Sequence, residues 1–215
     1  MAGQAGITPL DMPLSEARRL NLREIVLQPV AAHEEGRFRT LMAAHHYLGA
    51  LAKIGHTLWY VATWNGQWLA LLSFSAAAWK CAARDVWIGW DFRHQYDRLH
   101  LVANNSRFLI LPECHVANLA SRVLALSERR LASDWPEHFG YPLLLLETFV
   151  DPRRFHGTIY RAANWRYVGD TRGYRRTRAG YSFAPSAAKR VFVRPLYAHA
   201  QACLSSPVLD PQYRH

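Results

Sequence analysis

The chain has 215 residues, half of them hydrophobic, with 26 basic against 16 acidic residues and a formal net charge of +10. That length and apolar share suit one large domain with an arm, and there is no internal repeat or low-complexity block. No apolar run approaches a membrane span and no secretory leader is visible, while Cys81, Cys114 and Cys203 form no CxxC pair for a zinc knuckle.

Three scattered thiols suit a reducing, cytoplasmic setting. Arginine supplies nearly all of the positive charge, and 13% of residues are aromatic, eight of them Trp. Arginine offers a planar fork to phosphate and a flat face to bases. The balance points to nucleic acid; the plainer alternative is a basic soluble enzyme with no polyanion partner.

Residues 1–21 are rich in Gly, Pro and small side chains and read as an arm, with a short helix over 14–20. Leu22 to Val30 reads as a first strand, with Pro29 marking an edge or an end. Ala31 to Leu48 reads as a helix, because Phe38, Leu41, Met42, His45 and Leu48 recur at helical spacing. His45 and His46 are adjacent and so point in different directions; one is core-facing and one is free for phosphate or base chemistry. Thr57 to Ser75 is a hairpin about Asn65-Gly66, flanked by Trp64 and Trp68. A polar basic loop runs from Asp91 to Arg98. Leu99 to Leu111 reads as a strand that Asn104, Asn105, Ser106 and Arg107 interrupt, as a bulge, a splay or a tight turn. A splayed pair would leave backbone groups free for a ligand. Asn118 reads as the N-cap of an amphipathic helix over Leu119 to Trp135.

The stretch Pro142 to Gly173 organises the chain. Leu143 to Val150 reads as a strand buried on both faces, with one ionisable residue, Glu147, inside it. A carboxylate there must be paired, protonated or functional. Asp151-Pro152 reads as the start of a helix reaching Asn164, and Trp165 to Val168 as a return strand. Arg172, Arg175, Arg176 and Arg178 interleave with Tyr174 and Tyr181, a pattern suited to backbone contact and base stacking. Lys189 to Tyr197 reads as a last strand and Ala198 to Leu204 as a short helix.

This order of elements, and the helix ending YRAANWRYVG, resembles the GNAT (Gcn5-related acyltransferase) fold over about Leu22 to Arg172. The likeness implies an α/β (α+β) core, residues 22–178, with a central mixed sheet and helices on both faces. The arm, 1–21, would precede it and a basic C-terminal extension, 179–215, would pack on it. Acyl-CoA binding in that fold uses a glycine-rich turn before the long helix. Here the turn reads LPECHVANLAS without a glycine, which argues against acyl-CoA. The motifs HHYLG, RDVWIGW, VANNSRFLILP, LLETFVDPRRFHGTIYRAANW and VGDTRG resemble the DruA family more narrowly. That resemblance implies a mobile-element or anti-phage defence protein acting on DNA, with other defence or transposition proteins as partners and no membrane.

Glu147 and Asp151 would share a strand face but stand about 13 Å apart at ~3.3 Å per residue, so Asp151 reads as the helix cap. Glu147 needs a partner, and Asp85, His45, His46, Asn104, Asn105 and Arg107 are candidates. Glu147 with Asp85, helped by Asn104 or His46, could hold Mg²⁺ and activate water on a phosphodiester; the alternative is a buried Glu147–Arg pair bracing the sheet. Tyr160 matches the position of the GNAT tyrosine that protonates a leaving thiolate. It could instead attack a phosphate, or simply fill the core. Cys114 at the helix entrance is a further nucleophile to consider. Arg93, Arg98, Arg107, Arg153, Arg154, Arg161, Arg172, Arg175, Arg176, Arg178 and Tyr174 are the expected nucleic-acid contacts. The functions to separate are DNA binding with strand cleavage or transfer, a GNAT-type acyltransferase, and a non-catalytic DNA-recognition subunit.

Overall fold

The computed structural model describes residues 20–172 and 187–214, with the backbone alone of 175–177 and 180–182. All but the last two residues of the expected arm lie outside the described residues. The strands are β1 (Val26–Pro29), β2 (Thr57–Trp64), β3 (Gln67–Ala76), β4 (Val102–Ile110), β5 (Leu145–Val150), β6 (Arg166–Asp170), β7 (Arg175–Thr177), β8 (Gly180–Ser182) and β9 (Arg190–Pro195). The helices are α1 (Glu35–His45), α2 (Ala82–Ile88), α3 (His94–Arg98), α4 (Leu119–Phe139), α5 (Thr158–Ala162) and α6 (Ala200–Ser205).

Seven strands form one sheet in the order β1-β2-β3-β4-β5-β9-β6, and β7 pairs with β8 apart from it. The β4–β5 pair is parallel and its neighbours are antiparallel. Helices cover both faces. Alternate residues of β2 show this: the Trp59 ring stacks on Phe38 of α1 at 4.6 Å, while the Tyr60 hydroxyl donates to Asp134 of α4 at 3.0 Å. The register carries the Trp59 face across Thr57, Ser75 and Asn104 to Glu147. Thus α1 and α2 share one face, and α4 and α5 the other. Leu144, Leu145 and Leu146 are wholly buried at the middle of the sheet. Burial of each such leucine contributes roughly 1.5–3 kcal/mol.

Several boundaries differ from expectation, each for a local reason. The first strand starts only at Val26, because the Asn21 side chain accepts from Arg23 N and closes a 3₁₀ turn over Leu22–Glu24. The helix expected over 31–48 stops at His45. His46 is extended, and its Nδ1 accepts from Leu48 N. Residues 94–98, read as part of a loop, are helical, and so are residues 82–88. Asn118 stands at the start of α4 with φ 63° and makes no side-chain cap. The helix expected over 152–164 shrinks to α5. Asp151 accepts from Arg153 N to make a turn, and Gly157 at φ 75° breaks the chain direction before Thr158. Asp151 therefore caps a turn and not a helix. The boundary drawn at residue 178 is also corrected. Strand β9 belongs to the sheet, between β5 and β6, so the C-terminal segment completes the core.

Candidate functional site

The site lies where β4 and β5 part. They pair only at Val102–Leu145, Ala103–Leu146 and Asn104–Glu147. Beyond that, β4 runs on with β3 to Ile110 and β5 runs on with β9 to Val150, which opens a fork. A bulge on β4 at Ser106 helps: Ser73 faces Arg107 while Phe74 faces Asn105. The interrupted strand anticipated from the two asparagines is therefore a bulge beside a splay.

Side chains tie the crotch of the fork. Thr148 Oγ1 donates to Asn105 O at 3.1 Å, and the Tyr160 hydroxyl donates to Asn105 Oδ1 at 2.9 Å. Asn105 Nδ2 donates to Ser73 O and Arg107 O, so its amide is fully oriented. Burial pushes the Tyr160 phenol up to about 12. It is a protonated hydrogen-bond donor at neutral pH, buried between Trp165 and Phe192. That geometry does not suit the expected attack on a phosphate, which needs an exposed phenolate. Asn104 Oδ1 is buried with no partner.

Beside Asn104, Glu147 has found its partner, one that the sequence reading did not name. Arg84 donates from NH1 to Glu147 Oε2 at 2.9 Å and from NH2 to Asp85 Oδ1 at 2.8 Å, with Nε also on Asp85 Oδ1. Its NH2 bonds Trp79 O as well, and Asp85 Oδ2 accepts from Cys81 N at the start of α2. Burial pushes the Glu147 carboxyl up, and the Arg84 guanidinium opposes that shift. The guanidinium holds both carboxylates that were expected to bind Mg²⁺. A divalent ion would have to displace a wholly buried cation, so this pair does not fit the metal. Among the described residues no three His, Cys, Asp or Glu side chains are grouped to hold a metal ion.

The fork's rim is basic and aromatic. Arg107 donates to Gly49 O and Ser106 O, drawing the loop after α1 against β4. Burial, with the Arg107 charge nearby, lowers His46 to about 4, so the imidazole is neutral. Arg154 lies over the Tyr47 ring at 5.1 Å, and Tyr47 meets Phe155 at 5.5 Å. Asp151 is held to about 2 by hydrogen bonds from Arg153, whose Nε and NH2 both reach it. The same surface continues past Phe155: Arg190 NH1 donates to His156 O at 3.3 Å, and Arg161 lies over the Tyr167 ring at 5.9 Å.

The other expected contacts divide. Arg93 and Arg172 are exposed. Arg98 is not a nucleic-acid contact: it is 1% exposed and bonded to Leu204 O and Ser206 O. The side chains of Tyr174, Arg175, Arg176 and Arg178 lie outside the described residues. Tyr47, Arg84, Phe155 and Arg190 were missed. Only Arg84 had a signal, a second charge next to Asp85 in a segment otherwise apolar.

Three amides of the turn before α4 are engaged within it: those of Cys114, Val116 and Leu119 donate to Leu111 O, Cys114 O and Val116 O. Cys114 is buried, and burial pushes its thiol up to about 11, which removes it as a nucleophile.

A mixed sheet forked between β4 and β5, with helices on both faces, defines a GNAT-type fold. An aminoglycoside acetyltransferase solved with coenzyme A superposes with a TM-score of 0.53 at 13% identity, over 82% of this chain and 96% of that one. An acetyltransferase of the GNAT family from Streptococcus pneumoniae gives 0.50 at 12% identity, over 80% and 99%. At such identities these likenesses show the fold alone. No curated protein matches the sequence. The chain belongs to the DruA family: the model of Druantia protein DruA matches residues 8–183.

Proposed function

We propose that this chain is a nucleic-acid-binding component of an anti-phage defence system. It holds the phosphate backbone on the surface that carries Arg154, Arg161 and Arg190. The observation that carries this reading is the partnership of those arginines. They make no ion pair among the described residues, and Arg154 and Arg161 instead lie over the exposed rings of Tyr47 and Tyr167. Arginine over an exposed ring offers a charge to phosphate and a flat surface to an unpaired base. The family supports the defence context.

Recognition is favoured over strand cleavage by the residues first suspected. Glu147 and Asp85 are neutralised by Arg84, and Tyr160 is a buried donor. The fold favours a second reading, an acyltransferase, but the glycine-free turn before α4 argues against acyl-CoA. The test is to incubate labelled single-stranded and duplex DNA with the protein, with and without Mg²⁺, and to run binding and denaturing gels together. Retarded but intact strands are expected. Cleaved or covalently attached strands would sink the recognition reading. The absence of binding at low salt, with acetyl-CoA bound in a calorimeter, would return the acyltransferase to first place.

A further inference from the structure

Arg98 is a buried cation without a counter-charge. It ends α3, is 1% exposed, and donates from NH1 to Leu204 O at 2.8 Å and Ser206 O at 2.5 Å. Those carbonyls offer dipoles but no charge. No carboxylate lies within 4.0 Å of it among the described residues, and its Nε has no hydrogen-bond partner. Burying a guanidinium so incompletely compensated is costly, and folded proteins settle such a charge with an anion. The contrast with Arg84, which is equally buried and meets two carboxylates, is direct.

Arg98 also lines a cleft of about 380 Å³, together with His94, Asp97, Leu209 and Arg214. That volume is in the range of small-molecule sites. His94 lies one helical turn before Arg98, hence on the same face of α3, and its Nδ1 is buried without a partner. Arg214 is exposed at the cleft and donates through Nε to Leu209 O. Three residues able to donate, His94, Arg98 and Arg214, therefore line one cavity, and the first two each keep a buried nitrogen without a partner. It uses none of the residues of the fork or of the proposed nucleic-acid face.

We propose that this cleft binds a small molecule bearing an oxyanion, a phosphate or a carboxylate. Arg98 supplies the buried counter-charge, the His94 imidazole N–H the second donor, and Arg214 the outer wall. Asp97, exposed at the same cleft, opposes the anion and sets a ceiling on its affinity.

The test uses the full chain at pH 7 and matched ionic strength. Sodium phosphate, sodium acetate and sodium chloride are compared by calorimetry and by thermal unfolding. Phosphate or acetate should bind and raise the unfolding temperature above that in chloride, and the better of the two names the oxyanion class. Asp97→Asn, which removes an exposed charge, should tighten binding about two- to fivefold. His94→Ala, which removes a hydrogen-bond donor, should weaken it about three- to tenfold. Arg154→Ala should leave it unchanged. The proposal is overturned if neither anion differs from chloride. It is also overturned if His94→Ala and Asp97→Asn bind as the parent does, or if Arg154→Ala abolishes the effect.

Discussion

Arg84 is wholly buried, and the two carboxylates it holds explain how that charge is tolerated. Replacing it with Met would leave Glu147 and Asp85 uncompensated beside each other. The expected cost is about 3–5 kcal/mol in urea unfolding, with much of it recovered when Glu147→Leu is added. Tyr160→Phe removes the donor to Asn105 Oδ1 and should cost about 1–2 kcal/mol, because the buried acceptor stays behind. His46 gives a pH signature. Its folded pKa, about 4, lies below the ordinary value of 6.5, so the unfolded chain takes up the proton first. The stability it contributes is present above 6.5 and is lost as pH falls towards 4. Urea midpoints across that window should fall less steeply in His46→Asn than in the parent; equal slopes would show that another group is responsible. Of these partnerships the sequence offered only the kind of one, a buried Glu147–Arg pair, and not which arginine supplies it. Glu147 announced that it needed a partner, but Arg84 lies 63 residues away, and only the fold joins them.

At the scale of elements, Gly157 fixes the short α5 and thereby the place of Tyr160. It adopts φ 75°, and a Cβ there would stand 2.4 Å from the Phe192 ring. Gly157→Ala should therefore cost roughly 2–5 kcal/mol, from backbone strain and overpacking together, and should be read by thermal unfolding. A neutral result would mean that β9 can shift away from α5. Elements governed by neighbouring residues were legible. The hairpin turns at Asn65 and Gly66, with φ 48° and 77°, and β5 is the buried strand its leucines implied. Placements governed by distant pairing were not. Strand β9 was legible as a strand over Lys189 to Tyr197, but not its place in the gap between β5 and β6. The short α5 was overestimated because the Asp151 turn and Gly157 interrupt a helical composition.

At the scale of the molecule, the sheet, the fork and the helices have the GNAT arrangement, and the turn before α4 lacks glycine. Excess charge lies on the surface from Arg154 to Arg190, among Tyr47, Phe155 and Tyr167. The measurement that bears most directly on the central claim is the salt dependence of DNA binding for the parent and for the Arg154→Ala/Arg161→Ala pair. Three cations on this surface predict a slope of log K against log salt of about −3 on duplex DNA, made shallower by about 2 in the double variant. Affinity that is flat with salt, or a slope unchanged by the two substitutions, would contradict the account and place the nucleic acid elsewhere or nowhere on this surface.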